Sequence, residues 1–189
     1  QIDTSPFFAN IIKLADRYQG KLIGLPVYVD GGLLYYRKDL LDNYDQSIPE
    51  TWTELKNISM EIVAAERAAG NEMYGMAGSM KQYEGLTCNA VEWFYSNGGT
   101  VIDENGKFKI NTAKNKEILS LIREMIKADL YPEGVLSYGS GDVRASMFQG
   151  NQVFMRAWPK AYALSMNPDS SKVVGKLGVA ALPRGKSGE

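Results

Sequence analysis

The sequence predicts an α/β protein whose sheet is covered by helices on both faces. Two observations favour this class: segments with helical spacing of apolar residues alternate with short apolar runs of strand length, and glycine or proline separates most of them. The chain has 189 residues, 44% of them hydrophobic and 23% charged, which is enough to bury a sizeable core. We therefore expect one domain, with or without extensions.

The first elements follow from spacing alone. Apolar residues at helical spacing fill residues 6–18, and Gly20 follows as a stop signal. The apolar run at 21–29 predicts a buried strand, and the run at 33–36 predicts a second strand. Residues 38–44 predict a turn or a short helix.

A capping box marks the start of the next helix. Thr51 and Glu54 have the spacing at which each side chain bonds the backbone N–H of the other. Trp52 belongs to an apolar stripe that runs to Gly70, so we expect it to pack in the core rather than to bind a ligand. In chain order the remaining elements are a strand at 73–77, a helix at 83–96, a hairpin at 100–110, a helix capped by Asn111, a helix at 142–149, a strand at 152–156, a helix at 160–166 and a strand at 177–182.

Composition excludes several classes of function. A net charge of −1 argues against a nucleic-acid partner, because phosphate binding needs a clustered positive field. The chain has no histidine, which excludes Ser-His-Asp triads, Cys-His pairs and HExxH zinc sites. Its single cysteine, Cys88, is expected to be a small buried residue. No metal or cofactor is implied, and no apolar run approaches the roughly 20 residues of a membrane-spanning helix.

The stretch Gly24–Leu41 (GLPVYVDGGLLYYRKDLL) has features of a binding site. Tyr28 and Asp30 precede two glycines, which permit the backbone angles of a sharp bend or a close approach. A carboxylate beside aromatic rings is costly to bury unless something binds it. The stretch therefore indicates a ligand site, although Asp30 before two glycines also suits a turn aspartate.

Further candidates stand at the ends of predicted strands and helices, where ligands of such sheets bind. They are mostly aromatic or acidic, and the full set is Tyr28, Asp30, Tyr83, Glu84, Tyr138, Arg156 and Trp158. A sugar presents apolar C–H faces that stack on aromatic rings and hydroxyls that carboxylates accept. Since the set contains no activated nucleophile, it points to sugar binding without catalysis.

Several of these candidates also have a structural interpretation. Trp158 suits a core tryptophan, Tyr28 could line its strand, and Glu84 could only help to start its helix. Tyr138 lies in a loop rich in Gly and Ser. Arg156 is expected to be a structural or rim charge rather than a ligand contact.

Several motifs together resemble the extracellular solute-binding proteins of carbohydrate ABC transporters, in particular the maltose/trehalose-binding branch. Besides Gly24–Leu41, they are PETWTEL at 49–55, YEGL at 83–86, WFYSNGG at 93–99, MFQGNQVFM at 147–155 with Trp158-Pro159, and GVAALP at 178–183. The resemblance implies a two-lobed type II binding protein that closes over a sugar by hinge motion. It also favours Tyr28 and Asp30 as ligand residues, and Trp158 as the residue on which the sugar stacks.

The resemblance divides the chain as well. It assigns residues 1–26 to the first lobe and hinge, 27–165 to the second lobe, and 166–189 to the return path toward the first. Because family members are much longer, the chain is expected to be an internal fragment. The implied partners are a di- or oligosaccharide and the membrane permease of an ABC importer, at an extracytoplasmic location that is periplasmic or anchored at the cell surface. We also expect the fragment to self-associate through the surface that would face the missing lobe.

Two other functions stay open at this point. The carboxylates of Asp30, Glu84 and Glu92 would suit a glycosidase with an acid and a base or nucleophile, although no two of them stand at a defined spacing. A protein-interaction domain is the other alternative. It predicts no response to sugar, and it does not explain why aromatic and acidic residues stand at the ends of the predicted strands.

Overall fold

The computed structural model of the chain describes residues 2–185. The chain forms two compact units, which divide between Gly31 and Gly32. The smaller unit contains helix α1 (Ala9–Leu14) and an antiparallel pair of short strands, β1 (Arg17–Tyr18) and β2 (Lys21–Leu22). The assignment of these units to two lobes of a longer protein stays a prediction.

The small unit corrects two expectations. Gln19 and Gly20 both have positive φ, which is the geometry of a tight hairpin turn, so Gly20 joins β1 to β2 rather than ending a long helix. The buried strand predicted at 21–29 is wrong beyond Leu22, since Val27 and Tyr28 are 94% and 80% exposed. An apolar run becomes a buried strand only where a neighbouring strand and a covering layer are available, and among residues 2–31 only β1 pairs with it.

The larger unit is built on a four-stranded mixed sheet in the order β4-β5-β3-β6. Its strands are β3 (Leu33–Arg37), β4 (Tyr74–Ala77), β5 (Gln152–Ala157) and β6 (Leu177–Ala180). Strands β4 and β5 are parallel, whereas β3 runs antiparallel to β5 and β6, with Leu33 opposite Ala157 and Leu34 opposite Ala180. The carboxyl ends of β4, β5 and β6 therefore lie at one edge together with the start of β3, here called the ligand edge.

Helices cover both faces of this sheet, as the sequence predicts. They are α2 (Lys38–Asn43), α3 (Trp52–Ala68), α4 (Glu84–Ser96), α5 (Ala113–Lys127), α6 (Ser140–Phe148) and α7 (Lys160–Ser165), with a short 3-10 turn at Val135–Ser137. Side chains from α3, α4 and α5 form one core, and side chains from α6 and α7 form the other. Leu34 and Phe154 enter the first core and Tyr35 and Met155 the second, because successive side chains of a strand point to opposite faces.

Local signals place most helix starts correctly. The capping box of Thr51 and Glu54 is present, and Trp52 is buried in the first core with its indole N–H donating to Ser96 Oγ at 2.9 Å. The cap of α5 is Thr112 rather than Asn111, because the Thr112 hydroxyl accepts from the amide of Asn115 at 3.1 Å.

One further expectation is adjusted by the structure, since Cys88 is half-buried and not buried. Strand β6 pairs with β3 in the sheet of the larger unit.

Candidate functional site

Trp158 stands at the ligand edge, directly after β5, and its ring is held by a neighbouring charge. The guanidinium of Arg156 lies over the indole at 3.8 Å from the ring centroid. The Tyr35 hydroxyl lies 3.0 Å from the carbonyl oxygens of both Trp158 and Pro159, which fixes the backbone of this turn. Trp158 is half-buried. Because Arg156 covers one face of the ring, a ligand can stack only on the opposite face.

Arg156 itself is almost inaccessible to water. Its side chain is 3% exposed and forms a bidentate ion pair with Glu92 of α4, in which Nε lies 2.8 Å from Oε2 and Nη2 bonds Oε1. A buried charge is tolerated only when it is paired in this way. Arg156 is therefore a structural charge at the ligand edge, as the sequence analysis expects.

The start of β3 closes the same cluster. The backbone amide of Gly32 donates to Glu92 Oε1 at 3.2 Å. A Cβ atom at Gly32 would collide with Glu92 and with Nε of Arg156. Neither Gly31 nor Gly32 has positive φ, so close approach rather than a special backbone angle explains the glycine at position 32.

Tyr83 lies in a second polar cluster, between the segment after β4 and the start of α6. Its hydroxyl oxygen accepts from the Ser140 amide at 2.9 Å and also bonds Ser140 Oγ at 2.9 Å. Burial acts to raise the pKa of Tyr83, but the hydrogen bonds of Ser140 and Ser79 outweigh it and lower the pKa overall. Tyr83 as a whole residue is 39% exposed, so a ligand contact is compatible with this bonding.

Glu84 begins α4 and is exposed, and its Oε1 accepts from the thiol of Cys88 at 2.9 Å. Burial, together with the bond to Glu84 and its negative charge, raises the pKa of the Cys88 thiol to about 11. Glu84 therefore has a structural partner one helical turn away, in addition to its favourable place at a helix N-terminus.

Tyr138, Tyr28 and Asp30 are the remaining candidates. The half-buried ring of Tyr138 packs against both cores and lines a groove with Tyr74 and Pro132. Its carbonyl accepts from the amides of Met80 and Lys81 at 3.1 Å each. Tyr28 and Asp30 belong to the smaller unit, where both are exposed. Their part in ligand binding stays a prediction.

Sequence reasoning missed the joint arrangement of Gly32, Glu92 and Arg156. Glu92 was considered only as an acid for catalysis, and Gly32 only as a bend residue. The usable signal was Arg156 itself: a charged residue in the middle of an apolar strand run needs a buried carboxylate partner. Helix α4 carries Glu84 and Glu92, but sequence alone does not say which of its carboxylates faces the sheet.

Two kinds of feature are absent from residues 2–185. No group of three or more Cys, Asp or Glu residues in this range could hold a metal ion. Over the same range no helix is both long enough and apolar enough to cross a membrane.

Comparison with known proteins identifies the family of this chain. The family model described as bacterial extracellular solute-binding protein matches residues 3–189. The chain belongs to this family. A solute-binding relative from Deinococcus radiodurans, named "Probable ABC transporter-binding protein", is 42% identical over 172 residues, which are 90% of this chain and 40% of the relative. The chain thus spans less than half the length of that protein.

Solved structures of solute-binding proteins confirm the fold. A maltose-bound MalE3 of T. maritima matches with a TM-score of 0.86 and 38% identity, over 97% of this chain and 46% of that protein. A solute-binding protein of Agrobacterium radiobacter in complex with ribitol matches with a TM-score of 0.81 and 25% identity, over 93% of this chain and 43% of the other. The family resemblance and the type II binding-protein architecture are thereby confirmed.

Proposed function

We propose that this chain is part of a solute-binding protein that captures a di- or oligosaccharide for an ABC importer. The observation that carries the proposal is Trp158, a half-buried indole at the ligand edge with the guanidinium of Arg156 over one face. In this proposal the sugar stacks on the opposite face. Stacking of a sugar ring on such a face contributes binding energy without any reactive group. The maltose and ribitol bound to two similar proteins support a ligand of the carbohydrate or polyol class.

The longer protein would have two lobes that close over the sugar by hinge motion and then dock on a membrane permease. In this proposal residues 1–26 belong to the first lobe and hinge, 27–165 to the second lobe, and 166–189 to the return path. Its place is outside the cytoplasmic membrane, in the periplasm or anchored at the cell surface. A maltose- or trehalose-like sugar is the specific ligand, and Tyr28, Asp30, Tyr83, Glu84 and Tyr138 are further contacts.

Catalysis is not part of the proposal. Glu92 is occupied by its ion pair with Arg156, and Glu84 accepts from Cys88. A glycosidase needs a protonated carboxyl group and a second, free carboxylate on either side of the scissile bond. Incubation with maltose and nitrophenyl glycosides is therefore expected to yield no product, and steady release of nitrophenol would overturn this part.

The chain by itself should bind sugar weakly, in the millimolar range or above. Affinity in such sites depends on burying the ligand from both sides, and the contacts that the first lobe would supply are missing from this chain. The exposed side chains of Val27 and Tyr28 also favour self-association. Sedimentation of the chain at several concentrations tests that association, and a monomer throughout contradicts it.

The test of the function is a protein-observed NMR titration with maltose, trehalose and maltotriose. We expect small saturable shifts that are lost in Trp158→Ala and in Asp30→Ala. Phe108→Ala removes an aromatic ring that is 84% exposed on the hairpin and serves as the matched control, which should leave the titration unchanged. If the protein is folded and shows no shifts with any of the three sugars, the sugar-binding proposal is overturned. A parallel titration with glutamate tests the alternative of amino-acid binding. Shifts with glutamate and not with sugars would favour it, since a relative from Sinorhizobium fredii that is 26% identical is named a probable amino-acid ABC transporter periplasmic-binding protein.

A further inference from the structure

Arg156, paired with Glu92, lies over the face of the Trp158 indole opposite the one on which the sugar is proposed to stack. The two members of this pair differ in accessibility: the Arg156 side chain is 3% exposed and the Glu92 side chain 21%. Their charges cancel within bonding distance. We propose that this pair positions Trp158 and keeps the stacking surface electrically neutral, so that the site accepts uncharged saccharides and rejects anionic ones such as uronates. The inference rests on the sugar-binding function proposed above.

The geometry of the guanidinium determines how Arg156 positions Trp158. It is planar and stacks on the indole at 3.8 Å from the centroid, while two parallel bonds to Glu92 fix the orientation of its plane. Glu92 is fixed in turn by the amide of Gly32 at 3.2 Å. A lysine would supply the charge but not the plane or the paired bonds, so the ring would lose its flat support.

The charge of the site determines which saccharides it accepts. An anionic ligand loses the free energy of hydration of its charge when it enters the site. This loss is compensated only if an unpaired cation of the protein faces the anion. Among the described residues the two buried arginines are both occupied, Arg156 by Glu92 and Arg37 by Asp39. Lys160, two residues after Trp158, is exposed and therefore screened by water and salt. A neutral sugar needs no compensating cation. Because Glu92 neutralises Arg156, this pair presents no unpaired charge to such a sugar.

Two variants separate positioning from charge. Glu92→Gln keeps one acceptor oxygen for the Gly32 amide and for Nη2 of Arg156, but it removes the negative charge and the acceptor for Nε. The surface therefore becomes positive while one of the two bonds that orient the guanidinium is retained. Arg156→Lys keeps the charge balance but removes the planar support. Asp39→Asn is the matched control, because it neutralises the partner of the other buried arginine, Arg37, at the opposite end of β3.

The experiment titrates the 189-residue chain and these variants with maltose and with maltose oxidised to a carboxylate at the nonreducing C6. The original chain should bind maltose and show little response to the acid. In Glu92→Gln the ratio of the two affinities should move toward the acid by about tenfold, as expected for one unbalanced charge at short range. In Arg156→Lys maltose affinity should fall about fivefold with the ratio unchanged. Asp39→Asn should change neither.

A second readout does not depend on the ligand. The indole N–H signal of Trp158, assigned by its loss in Trp158→Phe, should move in Arg156→Lys and should move less in Glu92→Gln, which keeps the planar guanidinium. A folded Glu92→Gln protein with an unchanged affinity ratio overturns the charge selection. An unmoved indole signal in Arg156→Lys overturns the positioning. If the original chain does not bind maltose, the proposed function is overturned and the charge selection with it. The indole signal then tests only whether Arg156 positions Trp158.

Discussion

The hydroxyl oxygen of Tyr83 lies 2.9 Å from the backbone nitrogen of Ser140, which is 57 residues further along the chain. The bond joins the residue that precedes α4 to the first residue of α6. It satisfies one of the amides that a helix N-terminus otherwise leaves without a partner. Two helices on opposite faces of the sheet are thereby connected at a position the sequence analysis considered only for ligand binding.

Replacing Tyr83 with Phe should lower the free energy of unfolding by about 1–2 kcal/mol, because the Ser140 amide loses its acceptor while the ring remains. Urea denaturation followed by circular dichroism measures the change. Tyr162→Phe, which alters a tyrosine that is 46% exposed on α7, is the control and should stay within about 0.5 kcal/mol of the original chain. Equal midpoints for the two variants would show that the Tyr83 bond contributes nothing.

The thiol of Cys88 should react slowly with alkylating reagents. Only the thiolate reacts, and a pKa raised from 9.0 to about 11 reduces the thiolate at pH 8 by about a hundredfold. Glu84→Gln removes the negative charge that contributes to this shift, so the reaction with iodoacetamide should become faster and its pH profile should move to lower pH. A profile that does not move would show that the negative charge of Glu84 does not raise the pKa of Cys88.

Much of the fold could be predicted from the sequence because its signals are local. The capping box at Thr51 and the apolar stripe containing Trp52 specify α3 without help from distant residues. The strand predicted at 21–29 failed for the opposite reason: a strand depends on its neighbours, and the apolar run carries no information about whether a partner is present.

The candidate site was predictable in part for the same reason. Trp158 was found because it directly follows a strand and stands before Pro159. The Gly32–Glu92–Arg156 contacts were not found, because they join three segments that are 60 or more residues apart, and no local pattern reports which carboxylate of α4 faces β5. Pairings of this kind are set by the packing of elements, which a single sequence does not display.

The Arg37–Asp39 pair should make stability depend on acid pH. Burial acts to raise the pKa of Asp39, but hydrogen bonding to Arg37 at 2.6 Å and the charges of Arg37 and Lys176 outweigh it, so the folded-state pKa lies below 3.8. The ionised form then stabilises the folded state above about pH 4, and this contribution is lost as the pH falls through the folded-state pKa.

Asp39→Asn should therefore be less stable than the original chain at pH 7 and pH 5 by the same amount, and the difference should narrow below pH 3.8. Urea midpoints measured across this range test the expectation. A difference that persists unchanged to pH 2 would show that the ionised carboxylate of Asp39 is not the stabilising form.

Substitutions at Gly32 and Gly31 test whether the close approach of the start of β3 to Glu92 and Arg156 requires glycine. A Cβ atom at Gly32 would collide with Arg156 and Glu92, whereas nothing lies within 4 Å of a Cβ atom at Gly31. Neither glycine has positive φ, so the two substitutions differ in contacts and not in backbone strain. Gly32→Ala should lower the free energy of unfolding by about 1–3 kcal/mol, as overpacking does, and should move the Trp158 indole signal by displacing Arg156.

Gly31→Ala should be neutral or slightly stabilising, because it restricts the unfolded chain without a new clash. Chemical denaturation and a heteronuclear NMR spectrum of each variant measure both effects. If Gly32→Ala were as stable as Gly31→Ala and left the Trp158 signal in place, the ion pair would have room to move away from β3. The orientation of Trp158 would then not depend on the start of that strand.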